Sequence, residues 1–244
     1  MYVSAIDFRL GTFDEAGVGG KLIVTVMRCY PEMTLTRTAL FFDHLAVVAP
    51  SIEAGVTHVR ERLGVEVPPG GVHSLMGTWN HLMRVGEACF LEIIAIDPAA
   101  PAPQWPRWFN LDQRGDAPAR LEHWLLGTSD LDATIAEAGE LGGRALPQTR
   151  GALSWRIAVQ PEGSLPLGGG FPGFLQWPDG PHPAMHMADL GCRFVELTIE
   201  HPRAELISGF LDGRLRDYRV RVIESGVEHL HATIMTPTGT HVLE

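Results

Sequence analysis

A largely apolar run over residues 41–49, which includes Asp43 and His44, is the clearest strand in the pattern of hydrophobic and polar positions. The run ends at Pro50-Ser51, and apolar residues then recur at helical spacing, so the pattern predicts a strand followed by a helix. Ser51 is a good N-cap and Gly64 a typical helix stop. One polar ring, His44, lies inside the predicted strand, where a histidine is most often a satisfied core residue.

The same order of strand, cap, helix and stop recurs 79 residues later (123 − 44). The second strand contains His123, the second cap is Asp130, and the second helix runs into Gly142. Each histidine precedes its cap by 7 positions (51 − 44 and 130 − 123). The pattern therefore predicts a structural repeat, although few side chains are identical in the two copies.

Two further apolar strands match each other without a gap. Residues 90–98 align with residues 194–202, and each segment carries a glutamate at its third position, inside the apolar strand. A buried ionised carboxylate is costly unless it is paired or bound to a metal. Nitrogen and carboxylate oxygen ligands suit zinc, nickel, cobalt, iron or manganese. The duplicated histidines and glutamates therefore predict one divalent metal site with four ligands: His44, Glu92, His123 and Glu196.

These motifs resemble the vicinal-oxygen-chelate superfamily, and within it the glyoxalase-like domain group, over roughly residues 41–202. The resemblance implies an α+β fold of paired βαβββ modules, whose curved mixed sheet surrounds a cavity. It also implies that metal ligands come from the first and last strand of each module. The likeness is carried by four motifs: Phe42-Asp43-His44-Leu45, Pro68-Pro69-Gly70-Gly71, the segment from His73 to Asn80, and Phe90-Leu91-Glu92-Ile93-Ile94.

The predicted glyoxalase-like domain covers residues 39–202, with modules at about 41–98 and 121–202. Residues 203–244 are interpreted as an extra C-terminal partial module packed on the same domain. Residues 1–38 precede the first module and repeat nothing in it. Two interpretations stay open for them: an N-terminal hairpin, or residues upstream of a true start at Met33.

A second glutamate is a candidate for the fourth metal ligand beside Glu196. The distance from histidine to glutamate is 48 positions in the first module (92 − 44) and 73 in the second (196 − 123), so the second module carries an insertion. Glu244 lies at the end of another predicted strand and is the alternative to Glu196. His182 and His186 lie within the insertion, where prolines disfavour a helix. We expect a loop near the cavity mouth there.

Other side chains are candidates for contacts with a substrate. Arg84 and Arg156 lie in predicted strands, and a guanidinium receives a carboxylate through two parallel hydrogen bonds. Trp105, Trp108 and Phe109 lie in the proline-rich connection between the modules. They anchor that connection on the core or form one wall of the cavity.

Composition limits the classes of function. The 244 residues carry 19 Lys and Arg against 29 Asp and Glu, and the net charge of −10 argues against a nucleic-acid surface. No apolar run approaches the roughly 20 residues that a membrane span needs. The 3 cysteines form no CxxC pair, so we expect reduced thiols in a cytoplasmic protein. The expected partner is a small-molecule substrate, and a homodimer is left open.

The resemblance also implies a chemistry. In the glyoxalases that the chain resembles, a metal stabilises an enediolate and a metal-bound glutamate moves a proton between adjacent carbons. Glu196 and Glu92 are the catalytic candidates here. The first hypothesis is thus a metal-dependent lyase or isomerase acting on a small oxygenated or thiol-adduct substrate. The alternatives are a metal-free, resistance-type binding protein and an iron-dependent ring-cleaving dioxygenase, which normally uses two histidines and one glutamate.

Overall fold

A βαβββ module opens the described part of the chain, which in this computed structural model is residues 37–244. Ser51 caps its helix by accepting a hydrogen bond from the amide of Ala54 at 3.2 Å, and Gly64 ends the helix in the left-handed conformation (φ 68°). The predictions for the preceding segment, including a start at Met33, lie outside the described residues. The elements of this first module are β1 (Leu40–Val48), α1 (Ile52–Leu63), β2 (Pro69–His73), β3 (Thr78–Gly86) and β4 (Cys89–Ile96).

The second module repeats this order. Its elements are β5 (Arg120–Thr128), α2 (Leu131–Ala138), β6 (Arg144–Arg150), β7 (Leu153–Val159) and β8 (Gly173–Gln176). Asp130 caps α2 by accepting a hydrogen bond from the amide of Ala133 at 3.0 Å. β8 pairs in parallel with β5, as β4 pairs in parallel with β1. The short strand β8 therefore closes the second module.

The structure corrects the predicted end of the second module. The strand that contains Glu196 lies in a separate four-stranded sheet, not beside β5. The C-terminal unit accordingly begins at this strand rather than at residue 203. Its elements are β9 (Arg193–His201), α3 (Ala204–Leu211), β10 (Val220–Glu224), β11 (His229–Thr236) and β12 (Gly239–Leu243), and its strand order is β10-β9-β11-β12.

The two modules share one curved eight-stranded sheet, with strand order β2-β3-β4-β1-β5-β8-β7-β6. The curvature brings its two ends together, since Arg150 on β6 donates a hydrogen bond to Asn80 on β3 at 3.1 Å. The α+β fold with paired modules around a cavity is thus confirmed.

The two faces of the curved sheet have different roles. Side chains of a strand point alternately to opposite faces. On β1, Leu45 and Val47 pack in the outer core together with the helices and the second sheet. His44 and Ala46 face the concave side, where a second apolar cluster and a cavity lie. The concave face is therefore where β1 and its neighbours present polar groups.

The helices and the cysteines of the described residues bear on two expectations, that no segment spans a membrane and that the thiols are reduced. Within residues 37–244, no helix combines the length and the apolar character that a membrane crossing requires. Cys89 and Cys192 are buried and unbonded to each other.

Candidate active site

His44 and Glu92 face each other on the concave side of the sheet. Their strands are parallel neighbours, with Ala46 opposite Glu92. The Nε2 atom of His44 lies 3.5 Å from Oε2 of Glu92, and both side chains are almost completely buried. The structure therefore brings together two of the four predicted ligands.

Asp43 holds the other ring nitrogen of His44. Its Oδ1 lies 2.7 Å from Nδ1 of His44, while its Oδ2 accepts hydrogen bonds from Nε1 of Trp177 at 2.8 Å and from Nε2 of His182 at 3.0 Å. His182 donates from Nε2 because its Nδ1 accepts the amide proton of Ala184. His182 thus acts on the site through Asp43, a residue that sequence reasoning left without a role.

The two carboxylates stabilise the charged form of His44. Burial alone would lower its pKa, but the hydrogen bonds and charges of Asp43 and Glu92 raise the pKa to about 9. Burial alone would raise the pKa of each carboxyl. Hydrogen bonds from His182 and His44 instead lower the pKa of Asp43, and the contact with His44 lowers that of Glu92. At neutral pH the group therefore consists of one imidazolium between two carboxylates.

Asn80 orients Glu92. Its Nδ2 donates a hydrogen bond to Oε1 of Glu92 at 2.6 Å and lies 3.4 Å from Nε2 of His73. Its Oδ1 accepts from the amide of Gly71 at 2.9 Å and from Arg150 at 3.1 Å. Burial lowers the pKa of His73 to about 4, so that ring stays neutral. One oxygen of Glu92 is therefore fixed by Asn80, and the other faces His44.

His123 lies on the same face of the sheet but lines a different cavity. Ala46 is opposite His123 in the antiparallel pair of β1 and β5, so His44 is a diagonal neighbour of His123. The ring packs against Phe109 with centroids 5.2 Å apart, and Phe109 lines both cavities. Burial lowers the pKa of His123 to about 3. Its Nδ1 is buried and has no hydrogen-bond partner among the described residues.

Neither candidate for the fourth ligand lies beside the facing pair of His44 and Glu92. Glu196 is a partly exposed residue of β9, 3.5 Å from the guanidinium of Arg221. Glu244 pairs with Arg62 at 3.0 Å. The prediction that Glu196 completes the site is therefore corrected by its position on the second sheet.

A glycine occupies the position where the repeat would place a fourth ligand. In the first module Ala46 is opposite Glu92, and 79 residues further along (125 − 46) Leu125 is opposite Gly173. A Cβ atom on Gly173 would lie only 2.7 Å from Nε2 of His123. The two modules thus share the same strand pairing, but only the first has a carboxylate at this position.

The described residues offer two facing metal ligands rather than four. Within residues 37–244, no cluster of three or more His, Cys, Asp or Glu side chains has the arrangement of a metal site. In a four-coordinate ion with bonds of about 2.0–2.2 Å, neighbouring ligand atoms lie about 3.3–3.6 Å apart. The 3.5 Å gap between Nε2 of His44 and Oε2 of Glu92 fits such an ion. Asp43 supports this fit, because it accepts the Nδ1 proton of His44, so that a bound ion would take the place of the proton on Nε2.

Aromatic side chains line a cavity above His44 and Glu92, part of it open to solvent. Trp108 and Phe109 form part of its wall, as one interpretation of the connecting segment predicted. Trp105 does not, since it lies at the surface with the guanidinium of Arg144 over its ring, 4.3 Å from the centroid. The rest of the apolar wall comes from Leu82, Phe90, Trp155, Ile157, Leu175, Trp177 and Met187.

The arginine at this cavity is Arg150, not either of the predicted ones. Arg156 forms two hydrogen bonds to Asp132, at 2.7 and 3.0 Å. Arg84 donates to the backbone carbonyl of Gly86 at 3.1 Å. No sequence motif pointed to Arg150; in the structure Gly71, across the ends of the sheet, leaves room for its side chain.

Comparisons with known proteins agree with this architecture. The sequence profile described as a glyoxalase-like domain matches residues 42–214. No curated protein sequence matches the chain significantly. A hypothetical protein from Staphylococcus aureus superposes with a TM-score of 0.51 at 14% identity, over 78% of this chain and 87% of that one. At this identity the likeness extends to the fold alone.

Two solved epimerases are more distant in structure. Methylmalonyl-CoA epimerase from Mycobacterium tuberculosis gives a TM-score of 0.37 at 18% identity, over 62% of this chain and 95% of that one. A Streptomyces coelicolor methylmalonyl-CoA epimerase variant in complex with 2-nitronate-propionyl-CoA gives 0.38 at 19% identity, over 58% and 97%.

Proposed function

Because the chain belongs to the glyoxalase-like domain family of the vicinal-oxygen-chelate superfamily, we propose that it is a lyase or isomerase that moves a proton on a small oxygenated substrate. The observation that carries this proposal is the pair formed by His44 and Glu92 at the floor of an aromatic cavity. The pair combines a carboxylate that accepts a proton with a positive charge that stabilises developing negative charge: the imidazolium of His44, or a divalent ion that would replace its Nε2 proton.

Glu92 is the proton-transfer group in this proposal. It takes a proton from a carbon next to a carbonyl, and the electron pair of that C–H bond moves onto the carbonyl oxygen. Glu92 then gives the proton to the former carbonyl carbon, while the hydroxyl group on the first carbon becomes the new carbonyl and its proton passes through solvent to the former carbonyl oxygen. Asn80 keeps the carboxylate oriented through its hydrogen bond to Oε1, and Asp43 keeps the ring of His44 in place.

A divalent metal ion is part of the proposal, since members of this superfamily commonly bind one. His44 and Glu92 would hold the ion, and His123 is the remaining predicted ligand on the same face of the sheet. When bound, the ion supplies a Lewis acid for adjacent oxygens of the substrate. Glu196 is left out of this proposal, because its strand lies in the second sheet.

Deuterium exchange tests this function. Hydroxyacetone is incubated with the protein and a divalent ion in D2O, and incorporation next to the carbonyl is followed by NMR. We expect exchange above the uncatalysed rate, and a loss of at least about 100-fold in Glu92→Gln, in line with the usual contribution of a general base. Glu196→Gln is the matched control and should keep the wild-type rate.

The same experiment includes a second probe of the expected substrate class, the hemithioacetal formed from methylglyoxal and a thiol. Exchange or isomerisation of either probe that depends on Glu92 supports the proposal. If neither probe reacts faster than it does without protein, with any of the five metals that suit these ligands, the proposal fails.

A metal-free binding protein is the second candidate, and Gly173 is the observation that favours it. A site with a glycine in place of its fourth ligand holds a metal less firmly, while the aromatic wall still suits an apolar ligand. In that case apolar ligands should quench tryptophan fluorescence equally well with and without a chelator, and no exchange should occur.

A further inference from the structure

We propose that Arg150 binds the carboxylate of the substrate at the mouth of the cavity, and that the substrate is a small 2-oxo or 3-oxo acid with an aromatic or apolar body. The position of the reacting carbon in this inference rests on the proposed function. The binding of the carboxylate does not.

Arg150 is a cation with unused hydrogen-bonding capacity. Its Nη1 donates to Oδ1 of Asn80 at 3.1 Å, and a guanidinium has five such donors. Among residues 37–244, no carboxylate lies within ion-pair distance of it. Several other arginines of the second half of the chain are paired with acids, as Arg156 is with Asp132 and Arg193 is with Asp189. A free guanidinium lining an aromatic cavity is a receptor for a carboxylate.

The Gly70-Gly71 pair makes room for this arrangement. A Cβ on Gly70 would lie 2.4 Å from Oδ1 of Asn80, and a Cβ on Gly71 would lie 2.6 Å from Cδ of Arg150. Neither glycine has a positive φ, so the requirement is space rather than backbone conformation. The glycines therefore allow Arg150 to reach Asn80 from the opposite end of the sheet.

The charges of the cavity determine which way round an anionic substrate binds. At the floor, the carboxylate of Glu92 repels a second anion and is already paired with His44, whereas Arg150 attracts an anion. The carboxylate of the substrate is therefore directed away from the floor. The rings of Trp155 and Trp177, with centroids 5.4 Å apart, offer faces for the apolar body.

Asn80 sets the distance between the two ends of the site. Its Oδ1 bonds Arg150 and its Nδ2 bonds Glu92, so one amide group separates the anion receptor from the proton-transfer group. When the carboxylate of an acid binds Arg150, the carbon that lies next to Glu92 is therefore only two or three bonds from the carboxylate oxygens of that acid. This separation selects 2-oxo and 3-oxo acids, whose acidic C–H bonds lie there.

Binding of two matched probes tests the role of Arg150. The probes are 3-phenylpropanoate and 3-phenylpropanamide, which have the same size and shape and differ in charge. Their binding is followed through the fluorescence of the cavity tryptophans. We expect the wild type to prefer the carboxylate by about tenfold or more, as a charge-assisted pair should.

Arg150→Gln should abolish this preference while keeping the affinity for the amide. Arg150→Lys should keep part of it, because the charge remains and the planar fork is lost. Arg156→Gln is the control for removing an arginine from the same module, and it should bind both probes like the wild type. If Arg150→Gln fails to fold in a thermal-unfolding check, Arg150→Lys carries the test.

Two results would overturn the inference: a wild type without preference for the carboxylate, or a folded Arg150 variant that loses affinity for both probes equally. In the second case Arg150 only supports Asn80. Neither probe has a proton next to a ketone, so these results do not depend on proton transfer. Hydroxyacetone carries no carboxylate, so its exchange tests the proposed function without Arg150, and the two failures are distinguishable.

Discussion

The ring of Phe90 lies flat against the imidazole of His44, with centroids 4.3 Å apart and planes inclined by 16°. An aromatic face attracts a cation. The imidazolium therefore has a carboxylate at each ring nitrogen and an aromatic ring on one face. Phe90 thereby adds to the stabilisation of the charged form and screens it from solvent.

The first prediction separates these contributions. Asp43→Asn should lower the pKa of His44 from about 9 by more than one unit, because it removes a charge in direct contact with Nδ1. Phe90→Leu should lower that pKa by a smaller amount. NMR titration of the His44 ring in metal-free protein measures both. A His44 pKa that stays near 9 in Asp43→Asn would show that Glu92 alone holds the charge.

The second prediction concerns the pH dependence of stability. The pKa of His44 is about 9 in the folded protein against 6.5 for an ordinary histidine. Its contribution to stability is therefore complete below about pH 6.5 and is lost as pH rises through about 9. Urea unfolding with a chelator should show a decline over this window of up to a few kcal/mol. His44→Gln should flatten the curve, and an equal decline in that variant would contradict the assignment.

The third prediction concerns metal binding. His44→Ala and Glu92→Gln should each weaken binding of Zn²⁺ by at least about 10–100-fold, because each removes a ligand atom of the facing pair. Glu196→Gln and Glu244→Gln should bind like the wild type, since both residues pair with arginines elsewhere. Calorimetric titration of metal-depleted protein measures these affinities. If Glu196→Gln lost metal binding, the four ligands predicted from the sequence would be correct after all. The affinity of His123→Ala shows whether the His123 ring coordinates the ion.

The fourth prediction compares two glycines. Gly173→Ala should destabilise the fold by about 1–3 kcal/mol, because the new Cβ would lie 2.7 Å from His123 in a packed region. Gly209 lies on α3 without a positive φ, and a Cβ added there would have no atom within 4 Å apart from its own helix backbone. Gly209→Ala should therefore stabilise by about 0.4–1 kcal/mol. Urea unfolding gives both values, and a stabilised Gly173→Ala would show that the site has spare room.

Local signals predicted the repeated part of the fold. Apolar spacing, the caps Ser51 and Asp130 and the glycine stops define strand and helix within a few residues of each other. They therefore indicated β1, α1, β5 and α2, and the glutamate strand β4 followed from its unbroken apolar run. His44 and Glu92 could be predicted as site residues for the same reason, since each is a polar residue inside such an apolar run.

The alignment that selected Glu196 failed because a buried strand has the same pattern wherever it lies. β9 is flanked by β10 and β11 in the second sheet, and so it has the apolar composition of β4 without being its counterpart. The true counterpart, β8, is only four residues long and begins at Gly173, so it offered no carboxylate to align.

Asp43 and Arg150 were missed for a different reason. Their partners are far away in sequence, as His182 is from Asp43 and Asn80 is from Arg150. Periodicity reports which face a residue occupies but not which distant element crosses that face. The curvature of the sheet creates these contacts, and no local pattern records it.

Gly173 also has a stereochemical consequence. An epimerase that works with two bases needs one on either side of the reacting carbon, and of the two equivalent sheet positions only the one at Glu92 carries a carboxylate. Under the proposed function, a proton taken by Glu92 from the substrate would return to the side of the planar enediolate from which it left. Transfer between adjacent carbons would then be suprafacial, the product would have a single handedness, and part of an isotopic label in the substrate would reappear in the product.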